Sequence, residues 1–365
     1  MKAIVLAGGY ATRLRPISYA LPKLLFPVLG KPMIYWTLDL LKGIGVEKVV
    51  LAVNYLADLL RREVGVNYKG IEIKYSLEKV PLGTGGPIRL ASEVTPFDKT
   101  FVAMNGDVIA NIDLSVMLKQ HEQSRASITD ALHEVKDPTR FGVVQLDDER
   151  RIRRFVEKPN QKEAPSRLVN AGIYLIEPEV LQMIPANRKV SLEREIFPLL
   201  ARDGKLSGFQ FSGDWFDIGS LSDYQKANFS LLGKHAKGAV LQKDNVRLAE
   251  GAVVRPPVIL GEGSRVEKRA VVGPRVIGGK DELIEDRARV SNSILFDGVT
   301  IGQGSVVEGA ILASSVNVGR GVRIEPGSIV SPYVQIRDGV KVGRKTIVHP
   351  HKEVESSIKP ETHVM

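Results

Sequence analysis

Aliphatic residues recur at every sixth position through the last third of this 365-residue chain, and few folds tolerate such a period. Val318, Ile324, Val330, Ile336, Val342 and Val348 stand six apart without a break, and Ile301, Val307 and Ala313 form an earlier run joined to them by one five-residue step. Glycine follows several of these positions, at Gly302, Gly319 and Gly343. Helices repeat at 3.6 residues and half-buried strands at two, so neither explains the spacing. A β-sandwich has no need of it either. The period predicts a hexapeptide solenoid, in which each short strand forms one side of a triangular coil and the sixth-position aliphatic stacks into an axial core. Gly273–Arg289 breaks the period and is expected to bulge out as a loop, and residues 351–365 read as a polar tail.

Residues 1–232 follow a different rule. Ile4-Val5-Leu6 is an apolar run entering Gly8-Gly9. Pro32 suits a first helical position before Met33, Ile34, Leu38 and Leu41, and Val49–Val53 is a second apolar run. Phe101–Met104 leads into Asn105-Gly106-Asp107, and Asp113 is placed to cap a helix. Strands alternating with helices predict an α/β, Rossmann-like, mostly parallel sheet whose ligands sit at the carboxyl ends of the strands, where Gly8-Gly9 and Asp107 fall. The change of period after Lys234–Gly238 divides the chain into a domain of residues 1–232 and a solenoid of residues 239–350.

The absence of cysteine excludes a disulfide framework, thiolate zinc and a cysteine nucleophile. The opening MKAIVLAGG meets glycine too early for a signal peptide, and no apolar run reaches the ~18–20 residues of a membrane span. A cytoplasmic protein without a membrane partner is expected. The net charge of +9 raises the question of nucleic acid. Its densest cluster, Arg150, Arg151, Arg153 and Arg154, has no aromatic ladder beside it and reads as a solvated turn-and-strand face. No nucleic-acid partner is expected; small polyanions suit the excess charge.

Leu6-Ala7-Gly8-Gly9-Tyr10-Ala11-Thr12-Arg13-Leu14-Arg15-Pro16, with Pro22-Lys23 following, is neither a Walker A loop nor a full dinucleotide fingerprint. Glycines that admit a ligand to the backbone, successive N–H groups, and the cations Arg13 and Lys23 still point to phosphate. The string resembles the signature of the nucleotide-sugar pyrophosphorylases (sugar-1-phosphate nucleotidyltransferases). Leu82–Gly86, Asn105–Asp107, Arg140–Val144, Phe155–Pro159, Val169–Gly172 and Asp214–Gly219 resemble further motifs of that family, in order. A hexapeptide-repeat left-handed parallel β-helix behind the catalytic domain is also a family arrangement. The family's third glycine is Ala11 here, so either that position is right-handed or this loop differs.

The resemblance implies transfer of a nucleotidyl group from a nucleoside triphosphate to a sugar-1-phosphate, with release of pyrophosphate. It implies catalytic roles for Arg13, Lys23, Asp107 and Asp217, with Mg²⁺ held by Asp107 and Asp217, Asp214 being the less suited carboxylate. Leu6, Ala7, Gly8, Gly9, Ala11, Thr12, Arg13, Lys23, Glu78 and Gly83 would contact the nucleotide. Gly142, Glu157, Lys158 and Asn170 would contact the sugar phosphate. Within the family, Ser191–Pro198 and the Leu82–Gly86 loop are most similar to the mannose-1-phosphate guanylyltransferase branch, which favours GTP and mannose-1-phosphate. Uridylyl or thymidylyl transfer to glucose-1-phosphate and a non-catalytic nucleotide-sugar sensor are the alternatives. A homo-oligomer formed through the β-helix is expected.

Overall fold

The computed structural model describes residues 1–365, which cluster into two compact units. One contains Met1–Tyr10 and Met33–Ile218; the other contains Ala11–Pro32 and Gly219–Met365.

The first unit is built on a ten-stranded sheet. Its nucleus is four parallel strands in the order Phe101–Asn105, Lys2–Ala7, Lys48–Val53, Ile71–Leu77. Ile4, Val5, Val50, Ala52 and Ala103 are buried, as apolar runs covered on both faces require. Beyond Phe101–Asn105 the sheet turns antiparallel through Leu168–Ile176, Gly142–Leu146 and Ile152–Glu157, while Leu206–Phe211 runs parallel to Ile128–Glu134. The sheet is therefore mixed, with the expected parallel strands at its centre. Asp113 caps the Leu114–Ser124 helix by accepting from the N–H groups of Ser115 and Val116. The arginine cluster lies on the turn and second strand of the Gly142–Glu157 hairpin, where Asp147 accepts from the Arg151 amide and the Arg153 guanidinium.

The second unit holds a left-handed β-helix of three all-parallel sheets with eight, seven and six strands. Val318, Ile324, Val330, Ile336, Val342 and Val348 all lie in its axial core, as the period predicts. In the earlier run the core rung is Leu312, with Ala313 buried beside it, because strand Ser293–Leu295 aligns with Ile311–Leu312 in a coil one residue short.

Gly273–Arg289 is no loop. It carries strands Val276–Ile277 and Leu283–Ile284 in register with the coils on either side. The period fails there because Gly278 occupies the inward place that follows Ile277, next to Leu260 of the preceding coil. The buried Glu282 side chain fills the space; a Cβ on Gly278 would lie 2.3 Å from its Oε2. Burial pushes the Glu282 carboxyl well above its usual range. Residues 351–365 also differ from a tail, since Glu353–Val354 and His363–Val364 add parallel strands to two of the sheets. Val354 is buried in the core, so one aliphatic per rung still suffices among polar neighbours. No helix is long and apolar enough to cross a membrane.

Candidate active site

The parallel strands of the first unit deliver their carboxyl ends together. Leu6 stands opposite Asn105, and the Gly106 amide donates to the Leu6 carbonyl at 2.9 Å. Gly8 follows with no room for a side chain, because a Cβ there would fall 2.1 Å from Glu78 Oε1. Glu78 leaves its strand end with its amide bonded to the Val53 carbonyl, and its Oε2 accepts from the Leu82 amide at 3.1 Å. Only 4% of Glu78 is exposed, and burial raises its carboxyl above the usual range. The candidate base residue therefore lies against the glycine turn that follows Ala7.

Gly83 is the turning point of the next loop. Its φ of +82° is left-handed, and a Cβ would meet the Val190 carbonyl oxygen at 2.3 Å. Val190 and Leu82 pair through the backbone, while Thr84 Oγ1 donates to Glu193 and accepts from the Leu192 amide. Ser191 Oγ donates to the same Glu193 carboxylate at 2.6 Å. The Ser191–Pro198 segment thus braces the Leu82–Gly86 loop.

Asp107 and Asp217 are brought together by a two-stranded ladder. Val108–Ala110 pairs antiparallel with Trp215–Asp217, so Asp217 faces Val108, and the Ile218 amide donates to the Asp107 carbonyl at 3.1 Å. Asp214 lies at the far end, its carbonyl accepting from the Asn111 amide. No group of three or more His, Cys, Asp or Glu is assembled anywhere as a metal cage. Two hard carboxylates fit Mg²⁺, which keeps several waters and takes further ligands from substrate phosphates.

The sugar-phosphate candidates occupy the antiparallel half. Gly142 pairs with Glu157, and a Cβ on it would strike the Phe155 ring at 2.4 Å. Lys158 is left-handed at φ 49°, its amide is bonded to the Phe141 carbonyl, and its exposed Nζ lies 3.5 Å from Glu157 Oε1. Asn170 donates to the buried Tyr174 hydroxyl at 2.9 Å and accepts from the Gly172 amide at 2.7 Å. Gly172 in turn leaves room for Asn105, and Trp215 Nε1 donates to the Ala171 carbonyl. This segment is thereby tied to the strand ends that carry Asp107 and Asp217.

The remaining candidates belong to the second unit. Ala11 takes φ 48° and ψ 40°, so it keeps the left-handed geometry that a glycine would adopt without strain. Its carbonyl accepts from Ser18 Oγ and the Leu14 amide, both at 2.9 Å, which fixes the Thr12–Leu14 turn. The Arg13 guanidinium lies over Gly219, where a Cβ would approach within 3.3 Å. Lys23 opens the Lys23–Leu25 turn.

Comparison with known proteins agrees with this arrangement. The nucleotidyl transferase family model matches residues 2–233, and that of the GMPPB C-terminal domain matches residues 237–364. This chain belongs to the nucleotidyl transferase family. The mannose-1-phosphate guanylyltransferase catalytic subunit beta of Danio rerio is 39% identical over 335 residues, covering 89% of each chain. The mannose-1-phosphate guanylyltransferase of Mycobacterium tuberculosis is 34% identical over 317 residues, covering 84% of this chain and 82% of that one. Among solved structures, HddC from Yersinia pseudotuberculosis aligns with a TM-score of 0.54 at 27% identity, over 63% of this chain and 99% of its own. A UDP-glucose pyrophosphorylase complexed with UDP-glucose shares the fold, with a TM-score of 0.58 at 22% identity over 64% of this chain and 98% of its own. The nucleotidyl transferase is an enzyme with the architecture of its family.

Several residues that stand next to the candidate positions or to their partners have no signature in the sequence. Tyr174 meets Asn170 because the strand is irregular at the left-handed Gly172, so that Asn170 and Tyr174 oppose Leu132 and Asp130, only two residues apart on the neighbouring strand, and alternation alone does not show this. Glu193 was visible only as part of a motif. Asp130, fully buried with neither carboxylate oxygen partnered, gives no local signal at all.

Proposed function

We propose that this enzyme transfers the guanylyl group of GTP to mannose-1-phosphate. The sugar phosphate oxygen forms a bond to the α-phosphorus, the bond from that phosphorus to the β-phosphate oxygen breaks, and pyrophosphate leaves with the electron pair. The attacking oxygen is already anionic, so no general base is needed; positioning and charge compensation are the catalytic tasks. In this reading Arg13 and Lys23 hold the triphosphate. Leu6, Ala7, Gly8, Gly9, Ala11 and Thr12 offer backbone to it, and Gly83 lets the base lie close. Gly142 admits the sugar, Glu157 and Asn170 meet its hydroxyls, and Lys158 binds its phosphate. Asp107 and Asp217 would hold Mg²⁺, which when bound supplies several kcal/mol of charge stabilisation on phosphate oxygens. We further propose a catalytic domain of residues 1–232, a homo-oligomer formed through the β-helix, and a cytoplasmic site of action.

The short ladder that sets Asp217 opposite Val108, next to Asp107, beside strands that end at Ala7 and Leu77, is the observation that carries the reading. The relatives named above support the choice of base and sugar, and so does Glu78. Guanine presents two adjacent donors, N1–H and the N2 amino group, and an ionised carboxylate accepts from both. Uracil and thymine present one N–H between two carbonyls, which repel it.

The test is a matrix of four nucleoside triphosphates against mannose-, glucose- and glucosamine-1-phosphate, scored by pyrophosphate release, with Glu78→Gln alongside. GTP with mannose-1-phosphate is expected to lead. Hydrogen bonds to a charged group are worth roughly 1.5–3 kcal/mol, so Glu78→Gln is expected to cut kcat/KM for GTP about ten- to a hundredfold and to spare UTP. Because burial raises the Glu78 carboxyl, acidification protonates it early and removes an acceptor. Wild-type kcat/KM for GTP should therefore fall on the acid side, and Glu78→Gln should lose that limb. A wild type that prefers UTP or dTTP would transfer the reading to glucose-1-phosphate.

A further inference from the structure

The segment Ala11–Pro32, which carries Arg13 and Lys23, clusters with the β-helix. The solenoid has one face built to be covered. Along the middle of that face the outward residues Ile259, Ile277, Ile294 and Ile311 are each at most 4% exposed although none belongs to the axial core, while Leu241 before them is exposed and Ile329 and Ile347 beyond them are half-buried. On the other two faces the outward positions include Arg265, Asn317 and Gln335, or Arg289, Arg323 and Lys341, all exposed. Phe296, at the end of an apolar rung, is 1% exposed.

The segment is fastened both to this face, through Gly278, Phe296 and His349, and to the Leu221–Ala236 helix, which carries Tyr224 and Asn228. Gly30 passes so close that a Cβ would lie 3.3 Å from the Gly278 carbonyl. The Leu29 amide donates to Asn228 Oδ1 at 2.9 Å, and the Tyr224 hydroxyl donates to the Pro27 carbonyl. Phe26 meets Phe296 edge-on at 5.9 Å and Tyr224 at 5.6 Å. Tyr19 lies 6.0 Å from the His349 ring, several rungs further along. From the rung of Ile277 to that of Ile347 there are four steps, roughly 19 Å at ~4.8 Å per step.

Both cations connect to these anchors through one or two hydrogen bonds. The Phe26 amide donates to the Lys23 carbonyl at 3.0 Å, so the Phe26 ring fixes the turn that presents Lys23. Ser18, beside Tyr19, holds the Ala11 carbonyl from which the Arg13 turn starts. Resting on the transferase reading above, we propose that the β-helix is the mount of the phosphate-binding segment, with Phe296 as the positioning residue for Lys23 and Arg13. The solenoid then contributes to nucleotide binding without itself touching the substrate.

Phe296→Ala in the full-length chain tests this, with Phe296→Leu as the conservative variant and Ile336→Ala as a control. Ile336 lies in the axial core and is absent from the set of anchors. A misplacement of about 1 Å costs on the order of a hundredfold in rate. Phe296→Ala is therefore expected to lower kcat/KM for GTP about ten- to a hundredfold and to leave the KM for mannose-1-phosphate within about twofold. Tryptic cleavage after Arg13 and Lys23, read by mass spectrometry, should accelerate in parallel. Phe296→Leu should restore most of both, and Ile336→Ala should lower the melting temperature without moving either.

Equal losses in Phe296→Ala and Ile336→Ala, or wild-type GTP kinetics and cleavage rates in Phe296→Ala, would overturn the proposal. If Phe296→Ala does not fold, Phe296→Leu and Tyr224→Phe, which removes the hydroxyl that bonds the Pro27 carbonyl, carry the same comparison. If the wild type releases no pyrophosphate with any pair, the transferase reading fails, and the cleavage rates alone decide whether Phe296 holds the segment.

Discussion

In the α/β unit, Gly8, Gly142 and Gly172 are crowded by side chains, whereas Gly261, Gly302 and Gly343 of the solenoid are crowded by the backbone of the next coil. A Cβ at Gly8 or Gly172 would displace Glu78 or Asn105, and at Gly302 it would strike the Gly319 carbonyl carbon at 2.5 Å. At these six positions glycine makes room for a side chain in one unit and for the neighbouring coil in the other, with Gly83 and Gly278 as exceptions on either side. Substitution has correspondingly different costs. In the first unit damage should be read in rates, and in the second in stability, apart from the face that carries Ala11–Pro32.

The sharpest way to break this contrast is to bury a charge in the axial core. Ile324 is 1% exposed within a stack of aliphatics, so Ile324→Asp places an unpaired carboxylate where nothing can solvate it. Loss of soluble protein, or a fall in stability of more than about 4 kcal/mol, is expected. Unchanged thermal melting would mean that the coil core does not carry the unit's stability.

Asp217→Ala makes the opposite case. The ladder to Val108 is formed by backbone, so the fold should survive while turnover drops by about a hundredfold or more, in step with chelation of the metal. Circular dichroism and pyrophosphate release measured together check it. A loss smaller than about tenfold (~1.4 kcal/mol) would remove Asp217 from the metal site.

The smallest effect is expected at Ala11. A left-handed alanine costs about 1–2 kcal/mol, and glycine gives back roughly 0.4–1 kcal/mol in unfolded-chain entropy. Ala11→Gly should therefore stabilise the protein by about 0–1.6 kcal/mol, seen as a small rise in the urea midpoint. A fall in that midpoint would mean that the alanine methyl makes contacts worth more than the strain.

The axial core could be read from the chain because one aliphatic per rung is enough, and the six-residue run from Val318 to Val348 states that rule without exception. The reading failed at Gly273–Arg289 because there the core is filled from the side, by a glutamate four residues downstream of the vacant rung position. It failed after Pro350 because polar composition hides a rung that needs only Val354. In the α/β unit, parallel strands and glycine turns were legible as local patterns. The links Asn170–Tyr174, Thr84–Glu193 and Gly172–Asn105 were not, since each depends on strand register or on a long-range contact. The division at residue 232 followed the change of period, yet Ala11–Pro32 joins the unit on the far side of it. Nothing local in that segment says that Phe26 will meet Phe296.

That distant partnership sets a timetable for synthesis. Tyr19 and Phe26 leave the ribosome early, but Phe296 and His349 follow only after roughly 270–330 further residues. At ~5–20 residues per second the wait is about 15–60 s, during which the segment carrying Arg13 and Lys23 has no solenoid to lie on. The strands of the parallel nucleus are all complete by Asn105, so their pairing need not wait. Nucleotide affinity should therefore be among the last properties a nascent chain acquires, and a chain that stops even a few coils short should hold its triphosphate loosely.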